Sequence, residues 1–290
     1  MQLDIFDHSR DVMLRNDVLD ALKHFDAAAA HAAWHRLDQA YPSDGTLAPS
    51  AKLIDVLEQR TDARFADHEA AHEAVRGLTT SVLPAARLLF GGAGGAEWLL
   101  PLWRLAAQRA SHLPFRAPQA EEHAAALWLQ ARDWRAAADS VARIESWRRI
   151  PAPLGWMAQA RYRIDGLDVV WPLLAELAWL APARFGAVEQ ALGDPLVDKL
   201  RKQFDASFEG SGDSTDLAWF PAWLLTQSSG LARLLGAAQP SGGSEPEQAM
   251  RVLVEIIGLE RQGRQHEVIG HRRRLRGLHE ALYCAYMSTR

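Results

Sequence analysis

Residues 127–151 read LWLQARDWRAAADSVARIESWRRIP, and residues 160–182 read ARYRIDGLDVVWPLLAELAWLAP. In both stretches apolar residues recur at intervals of three and four, a short polar turn interrupts the pattern, and a proline follows. Apolar residues at this spacing lie on one face of an α-helix. Each stretch therefore predicts two helices joined by a tight turn.

The same periodicity continues along most of the 290-residue chain, and alternation of apolar and polar residues is hard to find. Alanine is abundant and β-branched residues are sparse, which also favours helix. Clusters of proline and glycine mark the breaks between helices, at residues 42–45, 91–95, 113–118, 210–214 and 240–244. We interpret 91–95 as a flexible connection to a helix that begins near Glu97. The sequence as a whole predicts an all-α protein.

The two central stretches align on Trp134 and Leu167, an offset of 33 residues. With its turn, its bulky apolar residue after the turn and its final proline, this unit resembles the 34-residue helical hairpin of the tetratricopeptide (TPR) family. Two further segments show the same pattern, with turns at Asp26 and Gly263. The resemblance implies a TPR-like superhelix of α-α hairpins, a solenoid, which binds other proteins or peptides.

The sequence predicts a single all-helical domain over residues 1–290. The alternative is an N-terminal helical lobe over 1–115, followed by TPR-like repeats with C-terminal capping helices over 116–290. Six of the eleven tryptophans fall in the central repeats, where we expect them to fill the gaps between stacked helices or to line a groove for a peptide.

Composition argues against several classes of function. The formal net charge of −4 gives no overall positive field toward nucleic acid or an anionic membrane. One cysteine allows neither an intrachain disulfide nor a cysteine zinc site. The first residues lack the basic and apolar regions of a signal peptide, and no apolar run has the ~20 residues of a spanning helix. We therefore expect a cytoplasmic protein without a membrane partner, and nothing in the sequence indicates a cofactor.

One short motif fits catalytic chemistry. His68, Glu69 and His72 form an H-E-x-x-H pattern, in which both imidazoles of a helix could bind one zinc while the glutamate activates its water. The pattern resembles that of zincin metalloproteases, but charged flanks, an all-helical chain and the lack of a recognisable third ligand favour an exposed helix face. A zinc-dependent hydrolase is an alternative interpretation, and the sequence assigns no metal site.

The N-terminal residues suggest a partner. The segment made of Gln2, Leu3, Asp4, Ile5 and Phe6 resembles the pentapeptide with which bacterial polymerases and repair proteins bind the replicative sliding clamp. The resemblance implies that Leu3, Ile5 and Phe6 enter apolar pockets of the clamp while Gln2 forms hydrogen bonds. The other interpretation is that these residues pack back on the first helix.

Arginines are dense near the C-terminus, and Arg272, Arg273 and Arg276 lie close together on one predicted helix. They are candidate contacts for an acidic partner or a phosphate backbone, or else part of a solvated helix face. Taken together, the sequence favours a non-enzymatic, TPR-like scaffold or adaptor that binds another protein or peptide. The alternatives are a clamp-associated DNA replication or repair accessory protein and the zinc hydrolase.

Overall fold

A computed structural model describes the backbone of residues 3–289 and the side chains from Arg10 onward. The described chain is helical throughout, without a β-strand between residues 3 and 289. It forms two compact units, of which the first ends at Asp133 and the second begins at Trp134. The all-α prediction is confirmed. None of the described helices combines the length and the apolar character that crossing a membrane requires.

The first unit contains seven α-helices, a π-helical turn at Leu78–Val82 and a 3₁₀ segment at Ala117–Glu122. The helices are α1 (Leu3–Lys23), α2 (Ala27–Ala40), α3 (Leu47–Glu58), α4 (His68–Gly77), α5 (Leu83–Trp98), α6 (Leu100–Ala110) and α7 (Ala124–Gln130). Helix α7 packs on α6, so the residues from 116 to 133 belong to this unit.

The second unit contains ten α-helices and three short 3₁₀ segments. The helices are α8 (Trp134–Ala142), α9 (Pro151–Asp165), α10 (Leu167–Leu180), α11 (Pro182–Leu192), α12 (Pro195–Ser207), α13 (Phe220–Gln227), α14 (Ala232–Leu235), α15 (Glu245–Arg261), α16 (Gln265–Leu278) and α17 (Glu280–Ser288). Successive helices pack on each other in the pairs α8/α9, α9/α10, α10/α11 and α15/α16.

The predicted turns have local causes. Asp26 caps α2 by accepting a hydrogen bond from the Ala29 N–H, so the turn between α1 and α2 is confirmed. Gly263 adopts a φ of +72° between α15 and α16, a conformation that suits glycine. Asp194 accepts from the N–H groups of the second and third residues of α12, with Pro195 at its first position.

The glycine-rich segment 91–95 differs in part from its prediction as a flexible connection. Gly91 has a non-helical φ of +78° and produces a sharp kink, but the following residues are already helical. Gly95 lies against the backbone of the residues before the kink, and a Cβ there would stand 2.6 Å from the Arg87 nitrogen. The segment is therefore a tightly packed bend, because glycine lets two helical backbones approach closely.

The core of the first unit is apolar, and Trp98 ties two of its helices together. The buried indole N–H of Trp98 donates to the carbonyl of Leu22 at 2.8 Å, which joins α5 to the last turn of α1. Its ring stacks on Phe25 with centroids 5.0 Å apart and lies 6.0 Å from Phe90. Contacts between aromatic rings stabilise the folded state in addition to the burial of the rings themselves.

The core of the second unit contains buried charge as well as apolar side chains. Glu189 accepts from the Arg201 guanidinium at 2.8 Å, and Glu176 accepts from the Gln239 N–H at 2.7 Å. Burial raises the pKa of both carboxyls above the ordinary value. Three tryptophans of the central stretches lie in this core, namely Trp156, Trp171 and Trp179.

Glu247 is the most extensively hydrogen-bonded of the buried glutamates. It accepts from the N–H groups of Ser241 and Gly243 and from the Arg251 guanidinium, and its side chain is 2% exposed. Burial alone acts to raise its pKa, but these donors outweigh burial and the pKa is lowered. The carboxylate thus holds the turn before α15 in place.

Replacement of Gly95 by alanine should destabilise the first unit, whereas Gly92→Ala should not. The new Cβ at position 95 meets backbone that cannot move independently, at a cost of about 1–3 kcal/mol in the free energy of unfolding. Gly92 is exposed, has open space around its Cβ position and gains helix propensity of up to about 1 kcal/mol as alanine. Urea denaturation followed by far-UV circular dichroism measures both; equal stability of the two variants contradicts the close packing.

Glu247→Ala should lower the free energy of unfolding by about 1–3 kcal/mol at neutral pH, because it leaves the partly buried N–H groups of Ser241 and Gly243 and the Arg251 guanidinium without their acceptor. Glu280→Ala is the matched control, since Glu280 is exposed and pairs with the likewise exposed Arg276, an interaction that contributes little to stability. Because the folded-state pKa of Glu247 is lowered, its contribution is present above the ordinary value of 4.5 and is lost as the pH falls through the folded-state pKa. Urea denaturation over this pH range should show that the difference in the free energy of unfolding between the wild type and Glu247→Ala becomes smaller in acid.

Candidate functional site

A groove opens on the surface of the first unit between α3, α4, the π-helical turn and α6. Its volume is about 380 Å³, and apolar side chains form its floor. Leu78, Val82 and Leu102 are buried at the bottom, while Val56 and Leu105 are partly exposed along the sides. Open concave surface with an apolar floor is the usual setting of a binding site.

The π-helical turn Leu78–Val82 forms one wall of this groove, and the sequence LTTSV explains why it departs from a regular α-helix. Three of its five residues are β-branched, which lowers helix propensity. The Thr79 hydroxyl donates to the carbonyls of Val75 and Arg76, and the Thr80 hydroxyl donates to that of Arg76. The side chains thus satisfy carbonyls at the junction with α4, and π-helical turns of this kind are frequent at functional sites.

One end of the groove is closed by the segment that connects α3 to α4. The Phe65 N–H donates to the Arg109 carbonyl at 3.2 Å, and the Arg109 Nε donates back to the Ala63 carbonyl at 2.7 Å. The Arg109 guanidinium also lies over the Phe65 ring, 4.1 Å from its centroid. Burial lowers the pKa of Arg109, and this guanidinium forms no ion pair with any carboxylate in the described part of the chain.

Charged side chains line the rim of the groove. Lys52, Arg60 and Arg109 carry positive charge, and Asp55 and Glu73 carry negative charge. Glu73 pairs with Arg76 on its own helix, whereas no carboxylate of the described residues lies within ion-pair distance of any of the three cations. The groove thus combines an apolar floor with three cations that form no ion pair with a described carboxylate.

The motif at residues 68–72 lies on α4, next to the groove. His68 is buried and donates through Nε2 to the Pro114 carbonyl at 2.8 Å, so this nitrogen has no lone pair for a metal. His72 donates through Nδ1 to Glu122 at 2.7 Å, and Glu69 is exposed. Both imidazoles tie α4 to the segment that precedes α7. Among the described side chains, no group of three or more potential ligands is placed to hold a metal ion. The zinc-site interpretation stays a prediction.

The side chains of the predicted clamp-binding segment, residues 2–6, lie outside the part of the chain that the structure describes. Gln2 lies outside the described residues, and so do the side chains of Leu3, Asp4, Ile5 and Phe6, although their backbone belongs to the first turns of α1. The clamp-binding interpretation of this segment therefore also stays a prediction.

The C-terminal arginines lie on α16, and two of the three predicted contacts have partners in their own unit. Arg272 pairs with Glu260 at 2.9 Å, and Arg276 pairs with Glu280 at 2.7 Å. Arg273 is exposed, and no carboxylate in the described part of the chain pairs with it. Two of the four arginines of this helix are therefore paired with carboxylates of the second unit.

Sequence reasoning did not identify the groove residues. Lys52, Arg60, Phe65 and Arg109 are spread over 58 positions, and no motif connects them. The signal nearest to the site was the β-branched run in residues 78–82, which helix periodicity alone does not distinguish from an ordinary helical face.

Comparison of the chain with family models, with curated proteins and with solved structures found no match.

Glu122→Gln should lower the pKa of the His72 imidazole toward the ordinary value of 6.5. The hydrogen bond from His72 to the Glu122 carboxylate is the largest cause of its raised pKa, and glutamine keeps the shape but removes the charge. Because the folded-state pKa of His72 is raised, the His72–Glu122 interaction stabilises the fold fully below pH 6.5. This stabilisation is lost as the pH rises through the folded-state pKa. NMR titration of the His72 ring measures the change, with Glu121→Gln as the exposed control; an unchanged pKa contradicts the contact.

Proposed function

We propose that this protein is a non-enzymatic interaction scaffold, and that the groove of the first unit binds a peptide segment of another protein. The observation that carries the proposal is the open groove itself. Val56, Leu105 and the residues beneath them present apolar surface to solvent in a concave site, although burial of that surface in the unit's own core would be favourable. Surface of this kind on a helical protein is typical of helix-in-groove or extended-peptide recognition.

We further propose that the helical hairpins of each unit stack in the manner of TPR-like repeats. Support comes from the confirmed turns at Asp26 and Gly263 and from the turn at Gly166, where a φ of +84° separates α9 from α10. Proteins built from such hairpins have no requirement for catalytic residues and commonly use the surfaces between helices for binding.

The proposal is tested by filling the groove. Gly77 lines it, and nothing lies within 4 Å of the position that a Cβ would occupy, so a tryptophan there adds bulk to the groove without displacing backbone. Gly92→Trp is the matched control, because Gly92 also has open space but lies on α5 away from the groove.

Peptides selected from a phage-displayed random library on the wild-type protein supply the ligands. We expect Gly77→Trp to abolish binding of the selected peptides and Gly92→Trp to leave it unchanged, as measured by fluorescence anisotropy. Equal binding by both variants, or a failure to select any peptide, contradicts a peptide-binding groove. Circular dichroism confirms that both variants fold.

A further inference from the structure

The charge around the groove is opposite to that of the unit that forms it. Residues 1–133 contain 13 Lys and Arg against 18 Asp and Glu, a formal net charge of −5. Within this acidic unit, one groove is lined by three cations, Lys52, Arg60 and Arg109, and by two acids, Asp55 and Glu73, which gives it a formal net charge of +1. Like charges that share a concave site repel one another, and they are retained at lower cost when a ligand of opposite charge neutralises them.

The three cations differ in the contacts that their side chains form within the first unit. Arg109 uses Nε for the Ala63 carbonyl and lies over Phe65, which orients its guanidinium and leaves the other nitrogens available. Arg60 is exposed, with its guanidinium 5.9 Å from the Phe25 ring centroid, and Lys52 is exposed on α3. A guanidinium held in place by one nitrogen is well suited to bind a carboxylate with the others.

The positions of these cations indicate what kind of ligand would satisfy them. Lys52 lies in the second turn of α3, and Arg60 follows two residues after the end of that helix. The helical rise of ~1.5 Å per residue separates the backbone of Lys52 from that of Glu58, the last residue of α3, by about 9 Å, and Arg60 lies beyond Glu58. A peptide whose only negative charge is its C-terminal carboxylate can neutralise the cations at one end of the groove. A segment with acidic side chains on both sides of an apolar residue can reach the cations at both ends.

We infer that the groove binds an acidic amphipathic segment of a partner protein, with an apolar side chain on the floor near Leu78 and Leu105 and Asp or Glu side chains on Lys52 at one end and on Arg60 and Arg109 at the other. This inference rests on the proposed function and specifies its partner. Apolar contacts supply most of the affinity, and the flanking carboxylates select the segment and position it along the groove. Asp55 and Glu73 on the rim repel carboxylates near them, so the acidic side chains of the segment must lie beside the three cations.

The test is the amino-acid composition of peptides selected from a random 12-residue phage library on the full chain. We expect an excess of Asp and Glu on either side of an apolar residue, relative to the unselected library. The affinity of the selected peptides should fall about tenfold in the Lys52→Gln/Arg60→Gln variant, and it should fall as salt is added. These two side chains form no hydrogen bond with other described residues, so the variant should fold normally.

The matched control is Arg64→Gln/Arg104→Gln, which removes two exposed cations of the same unit that lie outside the groove. Its peptide affinity should equal that of the wild type. If both double variants lose affinity equally, the effect is one of net charge and the inference is overturned.

Two further outcomes separate this inference from the proposed function. The first outcome is that the selected peptides do not bind Gly77→Trp but show no excess of Asp and Glu, or bind the Lys52→Gln/Arg60→Gln variant as well as the wild type. This outcome overturns the acidic partner and leaves the groove as a peptide-binding site. Peptides that bind Gly77→Trp normally overturn the groove as the binding site, and the inference with it.

Discussion

Two reciprocal hydrogen bonds between Arg109 and the segment that connects α3 to α4 determine the form of the groove. The Phe65 N–H binds the Arg109 carbonyl, and the Arg109 side chain binds the Ala63 carbonyl. Together they bring the connecting segment against the end of α6, where the Phe65 ring completes the apolar floor. An irregular segment of this kind has few contacts of its own, so its position depends on such long-range bonds.

Arginines stabilise this protein in two ways, by pairing with buried carboxylates or by contacts with neutral groups, and in the first unit Arg15 pairs with the buried side chain of Asp44. In the second unit, Arg201 and Arg251 are paired with the buried carboxylates of Glu189 and Glu247, so their charge is consumed in holding helices and turns together. In the first unit, Arg109 performs a similar structural role through a neutral carbonyl and through stacking on an aromatic ring. Its charge consequently remains available to a ligand, which distinguishes Arg109 from the arginines that pair with buried carboxylates.

The sequence predicted those features whose causes are local. The 3.6-residue periodicity indicated the helices, Asp26 caps the helix that follows its predicted turn, and Gly263 marks a turn by its own conformational freedom. The groove could not be predicted in the same way, because its residues come together only when α3, α4 and α6 pack. The contact between His72 and Glu122 spans 50 residues and likewise has no local signal.

The π-helical turn at Leu78–Val82 makes the groove sensitive to the insertion or deletion of a single residue. Its hydrogen bonds close around one residue more than those of an α-helix, so adding a single residue to a continuous helix from α4 into α5 is enough to produce it. Each residue of an α-helix advances the rotation by about 100°. Loss of that residue in a descendant would rotate the part of α5 that precedes its kink at Gly91 relative to α4, so that other side chains of this part would face α3. A change in ligand preference could thus arise from a one-codon deletion, without any substitution in the floor of the groove.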